Sequence, residues 1–349
     1  MNRPLRARDA GFTCGSLPAG ILNSIADVPG VRVGHRTLVD GDIRTGVTAI
    51  VPHGGNLYRE KPVAAVHVLN GFGKSAGLVQ VEELGTLETP ILLTNTLSVG
   101  TCCTALVRHA IARNPDIGRE TATVNPVVFE CNDGYLNDIQ ALAVTEADAC
   151  AALQEASSQF GVGSVGAGCG MSTFGFKGGI GTSSRRLQLD THDFHLGVLV
   201  LSNFGRSGDL RLPDGRTVAP IRPPVEQREP EKGSIIIVAA TDIPLSDRQL
   251  KRVVRRSGVG LARLGSFWGH GSGDIALGFT TANILHHDEK ADIVDLRTLN
   301  ENRMDLLFEA MADITQEAVL DALVAAGSMT GRSGHHRPSL VDALKTSLA

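Results

Sequence analysis

The chain has 349 residues, 42% of them hydrophobic and 20% charged, with a formal net charge of −4. That length can bury a large core as one domain or two. The negative balance, the lack of a lysine/arginine block and an aromatic content of only 4% argue against a nucleic-acid partner.

In chain order, the first twenty residues, MNRPLRARDAGFTCGSLPAG, are basic but lack an apolar stretch of about 7–15 residues, so no secretory leader and a cytoplasmic protein are expected. Val31–Val33, Val47–Val51 and Val63–Leu69 read as strands with β-branched cores. Ala76–Leu84 reads as a helix, Ile91–Thr94 as a strand, Val99–Ala112 as a helix and Val124–Phe129 as extended. Thr145-Glu146-Ala147-Asp148 resembles a capping box opening a helix that runs to about Ser157. Leu196–Leu201 and Ile235–Ala240 read as buried strands, and Asp247–Leu264 as one helix with a basic outer face. Ile275–Phe279 is predicted extended. Asn300–Ala326 holds one long or two short helices with Leu306, Met311, Ile314, Val319, Leu320 and Leu323 on the inner stripe. The tail Gly327–Pro338 is predicted flexible. No apolar run reaches the roughly 18 residues of a membrane-spanning helix. Such mixed alternation predicts an α/β class of layered sheets and helices.

The clearest boundary is Gly205–Lys232, with Pro213, Pro220, Pro223, Pro224 and Pro230, many charges and little apolar periodicity. A linker that long inside a compact protein is usually functional or mobile. It leads into Glu231-Lys232-Gly233-Ser234-Ile235-Ile236-Ile237-Val238, where a small residue and a serine meet an abrupt apolar run. This junction is what self-cleavage would need. Ser234 could attack the Gly233 carbonyl and emerge with a free α-amine, whose pKa of about 7.7–8.0 suits a built-in general base. Gly-Ser is also common where a turn enters a strand.

Other motifs weigh less. The six cysteines, at 14, 102, 103, 131, 150 and 169, form no CxxC pair and read as small buried thiols in a reducing compartment. Gly161-Val162-Gly163-Ser164-Val165-Gly166 matches GxGxxG but follows a polar stretch rather than a strand, so these glycines and those to Gly181 read as backbone packed close to itself or to a substrate. Gly73-Lys74-Ser75 lacks the first glycine of a phosphate loop, since Val68 stands there. His192, His195 and the His286-His287-Asp288-Glu289 cluster read as surface groups. In Gly269-His270-Gly271-Ser272-Gly273-Asp274, a hydroxyl and a carboxylate two apart share one strand face. They could orient a proton-transferring amine, hold a nucleophilic hydroxyl, or simply form a polar turn. Glu130 to Asp138 and Asn203 follow apolar strands, where polar site residues gather. An amide at Asn203 suits an oxyanion donor, or an Asx-turn.

GSIIIVAATDIPL, QLKRVVRRSGVGLAR and GHGSGDIALGFTTAN resemble the small subunit of the β-aminopeptidase and L-aminopeptidase/D-amidase/esterase family. IADVPGVRVGH, VLNGFGKSAGLVQVEELGTLETPILLTNTLSVG, ECNDGYLND and GFKGGIGTSSR resemble its large subunit, so the likeness runs from Ile25 to about Thr330. The resemblance implies a four-layer αββα sandwich akin to N-terminal-nucleophile hydrolases and ornithine acetyltransferases. It implies a cut between Gly233 and Ser234 into chains 1–233 and 234–349 that remain one structural domain, assembled as a homotetramer of heterodimers. By the same resemblance, Ser234 is the nucleophile, with Ser272 and Asp274 as its supporting pair; some members carry glutamate at the position of Asp274. Asn203 matches the oxyanion asparagine, Tyr135 contacts the substrate amine or oxyanion, and Glu130 binds the substrate ammonium. No metal or organic cofactor is implied. The substrates would be short peptides, amides or esters with a free amino terminus, D- and β-amino acids included. The alternative is an acyltransferase of the ornithine acetyltransferase type, although those relatives typically use threonine as nucleophile.

Overall fold

The computed structural model describes residues 4–220 and 231–347. Nine strands form the two principal sheets: β1 (Arg32–Asp40), β2 (Ile43–Val51), β3 (Glu60–Gly71), β4 (Ile91–Asn95), β5 (Val127–Cys131), β6 (Gly179–Leu189), β7 (His192–Asn203), β8 (Lys232–Thr241) and β9 (Gly271–His286). The first sheet has order β1-β2-β4-β5 and the second β3-β9-β8-β7-β6. Within them β4 runs parallel to β5 and β8 parallel to β9; the other neighbours are antiparallel.

Alternation along each strand decides what lies on either side. On β8, Ile236, Val238 and Ala240 pack between the sheets with Leu199 and Leu201 of β7 and Phe129 and Cys131 of β5. Ile235, Ile237 and Ala239 face the other way, against a helical layer. That layer is α4 (Asp247–Val254), α5 (Ser257–Arg263) and α6 (Met304–Ala325), which contributes Leu307, Met311, Ile314 and Leu323. Helices α2 (Val99–Arg113) and α3 (Glu146–Gln154) cover the outer face of the first sheet through Cys102, Leu106, Ala149 and Ala152; α1 (Leu78–Leu84) joins β3 to β4, and α7 (Leu340–Ser347) ends the described chain. The order of layers is αββα, as expected. No helix among the described residues is long and apolar enough to cross a membrane.

The capping box at Thr145 is present, its hydroxyl accepting from the Asp148 N–H while the Asp148 side chain accepts from the Thr145 N–H. Two expectations need correction and one holds. The predicted helix Asp247–Leu264 is two helices: after α4 ends, the Ser257 hydroxyl bonds back to the Val254 carbonyl at 2.7 Å and a second helix starts. The glycine-rich stretch does pack tightly, but its end is the strand β6. There a Cβ on Gly179 would meet the Gly163 carbonyl oxygen at 2.1 Å, and one on Gly181 the Ala318 carbonyl oxygen at 1.9 Å. The tail is ordered as a small hairpin, Met329–Thr330 paired with His336–Arg337. Of the proline-rich boundary, 205–220 contains another small hairpin (Leu210–Arg211 with Thr217–Val218), whereas Pro223, Pro224 and Pro230 lie outside the described residues.

Candidate active site

Ser234 stands at the second residue past the point where β8 enters the sheet, flanked by two partners in exact cross-strand positions fixed by register. It pairs with Gly273 of β9 on one side and with Asn203, the last residue of β7, on the other. The parallel register also aligns Gly233 with Ser272 and Ile235 with Asp274. Aligned residues point to the same face. The Ser234 hydroxyl and the Asn203 amide therefore face the inter-sheet side, while the Ser272 and Asp274 side chains share the helix-side face with Ile235. The supporting pair thus flanks the backbone of Ser234, on the opposite face of the strand from its side chain. Such a placement suits groups that hold the α-amine rather than the hydroxyl.

All four side chains are buried. The Ser234 Oγ accepts from the Gly273 N–H at 3.2 Å. Ser272 donates its hydroxyl to Asp274 Oδ1 at 2.6 Å, and the Ile235 N–H reaches the same oxygen at 3.2 Å. Burial raises the Asp274 carboxyl to about 7, and the Glu231 charge adds to the rise, against the pull of the Ser272 and Ile235 hydrogen bonds. Asn203 accepts from the Ser172 N–H at 2.8 Å and donates to the Asn132 carbonyl at 2.9 Å. A side-chain amide has two N–H groups, so this anchoring leaves the second to serve a ligand. Cys131, buried between the sheets, donates its thiol to the Ser234 carbonyl at 3.3 Å, and burial holds that thiol well above its ordinary pKa.

Glycine is required on both sides of the nucleophile. Gly233 has φ +112°, and a Cβ there would sit 2.1 Å from the Asn203 carbonyl oxygen. A Cβ on Gly273 would lie 3.0 Å from the Ser234 Oγ and 2.8 Å from the Phe72 carbonyl oxygen. Gly73 follows in that approach, its own hypothetical Cβ lying 3.8 Å from the Gly273 Cα and 3.5 Å from Glu130 Oε1. Gly73 therefore stands between Glu130 and Gly273 of β9, the cross-strand partner of Ser234. The Glu130 carboxylate accepts from the Lys74 N–H at 2.8 Å and from the Thr96 hydroxyl. A carboxylate offers about four acceptor sites, so capacity remains for an ammonium group.

Tyr135 is held differently. It is 39% exposed, and its ring lies between the His335 imidazole, stacked at 4.7 Å and 15°, and the Arg337 guanidinium at 3.6 Å. His335 also bonds the Tyr135 carbonyl at 2.8 Å, and Arg332 donates to the Gly134 carbonyl at 3.1 Å. The C-terminal hairpin thus fixes the tyrosine loop, a role that its glycine, serine and histidine composition conceals. His270 does not join Ser272 and Asp274 in a triad; it is exposed and packs near Phe72 at 6.4 Å.

A profile of peptidase family S58 matches residues 23–337. The β-peptidyl aminopeptidase of Sphingosinicella microcystinivorans is 38% identical over 355 residues, covering 95% of this chain and 88% of that protein. Among solved structures, a Burkholderia sp. β-aminopeptidase is 40% identical with a TM-score of 0.87, covering 98% of each chain. The L-aminopeptidase D-Ala-esterase/amidase of Ochrobactrum anthropi is 35% identical with a TM-score of 0.89, covering 99% of this chain and 98% of that one. That structure is described as a prototype for the serine aminopeptidases and a new variant of the N-terminal-nucleophile hydrolase fold. The αββα layers of the present chain have the same fold.

Proposed function

Because the chain belongs to peptidase family S58 and is an N-terminal-nucleophile hydrolase of the aminopeptidase class, we propose that Ser234 is its nucleophile and that the chain cuts itself at Gly233–Ser234 to expose it. In this reading the Ser234 Oγ attacks the carbonyl of an amide or ester, and the residue's own α-amine takes the hydroxyl proton. Ser272 and Asp274 keep that amine in place. The amine passes the proton to the leaving group, and water then releases the acyl group from Ser234. The free N–H of Asn203 receives the developing oxyanion, and the Gly273 N–H steadies the serine oxygen. Glu130 binds the ammonium of the substrate, and Tyr135 contacts the substrate amine or oxyanion. The substrates are short peptides, amides and esters with a free amino terminus, β- and D-amino acids included, as the names of the relatives suggest.

The observation that carries this reading is the register of β8. It aligns Ser234 with Asn203 on one side and sets its backbone between Ser272 and Asp274 on the other. The two products, 1–233 and 234–349, would stay together because the strands of the second piece, β9 and β8 from Ser234 on, are hydrogen-bonded in the middle of the second sheet between β3 and β7 of the first. A homotetramer of these cleaved pairs in the cytoplasm completes the proposal. The test is a substrate panel of L-, D- and β-aminoacyl p-nitroanilides with the wild-type chain and Ser234→Ala. Cleavage of at least one class by wild type and of none by the variant is expected; equal activity in both removes Ser234 from the reaction.

A further inference from the structure

Three residues before Ser234, near the end of the proline-rich boundary, Glu231 is 2% exposed. Its Oε1 accepts from the Ser266 hydroxyl at 2.9 Å and its Oε2 from the Gly269 N–H at 3.0 Å, with the Phe267 N–H further off at 3.5 Å. The backbones meet as well: a Cβ on Gly269 would fall 2.6 Å from the Glu231 Cβ and 2.9 Å from its carbonyl oxygen. Residues 266–269 lead straight into the supporting pair, the Ser272 N–H bonding the Gly269 carbonyl at 2.9 Å. Lys232 pairs with Gly271, so Glu231 sits where the parallel pairing of β8 and β9 begins. A buried carboxylate is costly unless hydrogen-bonded. Here the donors all come from the loop that leads into β9, the strand carrying Ser272 and Asp274.

We propose that Glu231 is a positioning residue for self-cleavage: by latching the chain ahead of the scissile bond to the 266–269 loop, it holds the Gly233 carbonyl in place for Ser234. The proposal rests on the reading of Ser234 as a self-released nucleophile. In the step itself the Ser234 Oγ bonds to the Gly233 carbonyl carbon and the Gly233–Ser234 C–N bond breaks. The hydroxyl proton ends on the departing Ser234 nitrogen. Water then hydrolyses the Gly233 ester, leaving a Gly233 carboxylate and restoring the Ser234 hydroxyl. An intramolecular attack of this kind depends on how closely the carbonyl is held near the attacking oxygen. A strand end without such an anchor frays. Once the bond is cut, Glu231 and Ser234 belong to different chains, so the latch no longer constrains the amine or hydroxyl used in turnover.

The test follows the full chain from synthesis, reading its conversion to two pieces on denaturing gels and then kcat per cleaved molecule on an aminoacyl p-nitroanilide. Glu231→Ala should slow conversion at least tenfold. Glu231→Gln, which keeps the shape and one acceptor oxygen, should fall between Glu231→Ala and wild type. Once cleaved, both should turn over within about twofold of wild type. If the alanine variant does not fold, the glutamine variant alone decides: conversion slower than wild type with normal kcat supports the latch. Conversion at the wild-type rate in the variants that fold overturns it, as does a fall in kcat as large as the fall in conversion. A wild-type chain that stays uncut would instead refute the reading of Ser234, leaving the two failures distinguishable.

Discussion

Asn203→Ala separates the catalytic demand on one amide from its structural one. The side chain makes two anchoring hydrogen bonds, from the Ser172 N–H at 2.8 Å and to the Asn132 carbonyl at 2.9 Å. Losing both should cost about 1–3 kcal/mol of stability, at about 0.5–1.5 kcal/mol for each neutral bond. Losing the remaining N–H as an oxyanion donor should cost about 2.7–4 kcal/mol of transition-state stabilisation, a fall in kcat of about 10²–10³. The assay is steady-state hydrolysis of an aminoacyl p-nitroanilide by fully cleaved protein, with urea denaturation of the same preparation. Asn203→Asp serves as the isosteric control. It keeps an acceptor for Ser172 but loses both donors, so its kcat should fall like that of the alanine variant. A kcat within threefold of wild type in cleaved Asn203→Ala would refute the oxyanion assignment.

Ser272→Ala removes the hydroxyl that bonds Asp274 at 2.6 Å, and kcat should drop by about 10²-fold, within the usual range for a group assisting proton transfer; an unchanged kcat takes Ser272 out of the site. The raised carboxyl of Asp274 makes stability depend on pH in a definite sense. Below about pH 4 the folded and unfolded chains both hold the proton. From there to about 7 the unfolded chain ionises first, so stability conferred at low pH is lost as pH rises. Asparagine cannot titrate. In an uncut Ser234→Ala background, Asp274→Asn should therefore gain in Tm relative to its parent between pH 4 and 7 and then level off; a difference that is flat, or falls, contradicts the buried carboxyl. Glu317 on α6 accepts from Arg185 at 2.8 Å, from Arg8 at 2.8 Å and from Asn23 at 2.6 Å, and it and Arg185 are fully buried. Glu317→Ala leaves the Arg185 charge without its partner and should cost about 3–5 kcal/mol in urea unfolding; a loss under about 1 kcal/mol would show that this network is dispensable.

The alternation of short apolar strands with amphipathic helices was enough to read the α/β layers, because most strands of the second sheet are buried on both faces and appear as plain apolar runs, as in Ile235–Ala240. It was not enough for β6. That strand carries Thr182-Ser183-Ser184-Arg185, all buried, with hydrogen-bond partners at Asn23, Asp27, Glu317 and Asp321 elsewhere in the chain. Polar satisfaction across more than a hundred residues leaves no local period to read. The early part of β9 was hidden in the same way, since Gly271-Ser272-Gly273-Asp274 has the composition of a turn yet continues a strand that runs to His286. In the candidate site, Ser234 and the Ser272–Asp274 pair stood out because each lies where polar chemistry interrupts an apolar pattern. The face on which that pair sits could not be read, because it depends on the parallel register of β8 and β9. Nor could the tyrosine clamp be read: His335 and Arg337 reach Tyr135 across 200 residues of sequence.

N-terminal sequencing of purified, active protein tests the central claim most directly. The account predicts a second sequence beginning Ser234-Ile235-Ile236-Ile237 beside that of the Met1 end, with Ser234→Ala giving the Met1 end alone and no activity. Active material that yields only the Met1 end would contradict it.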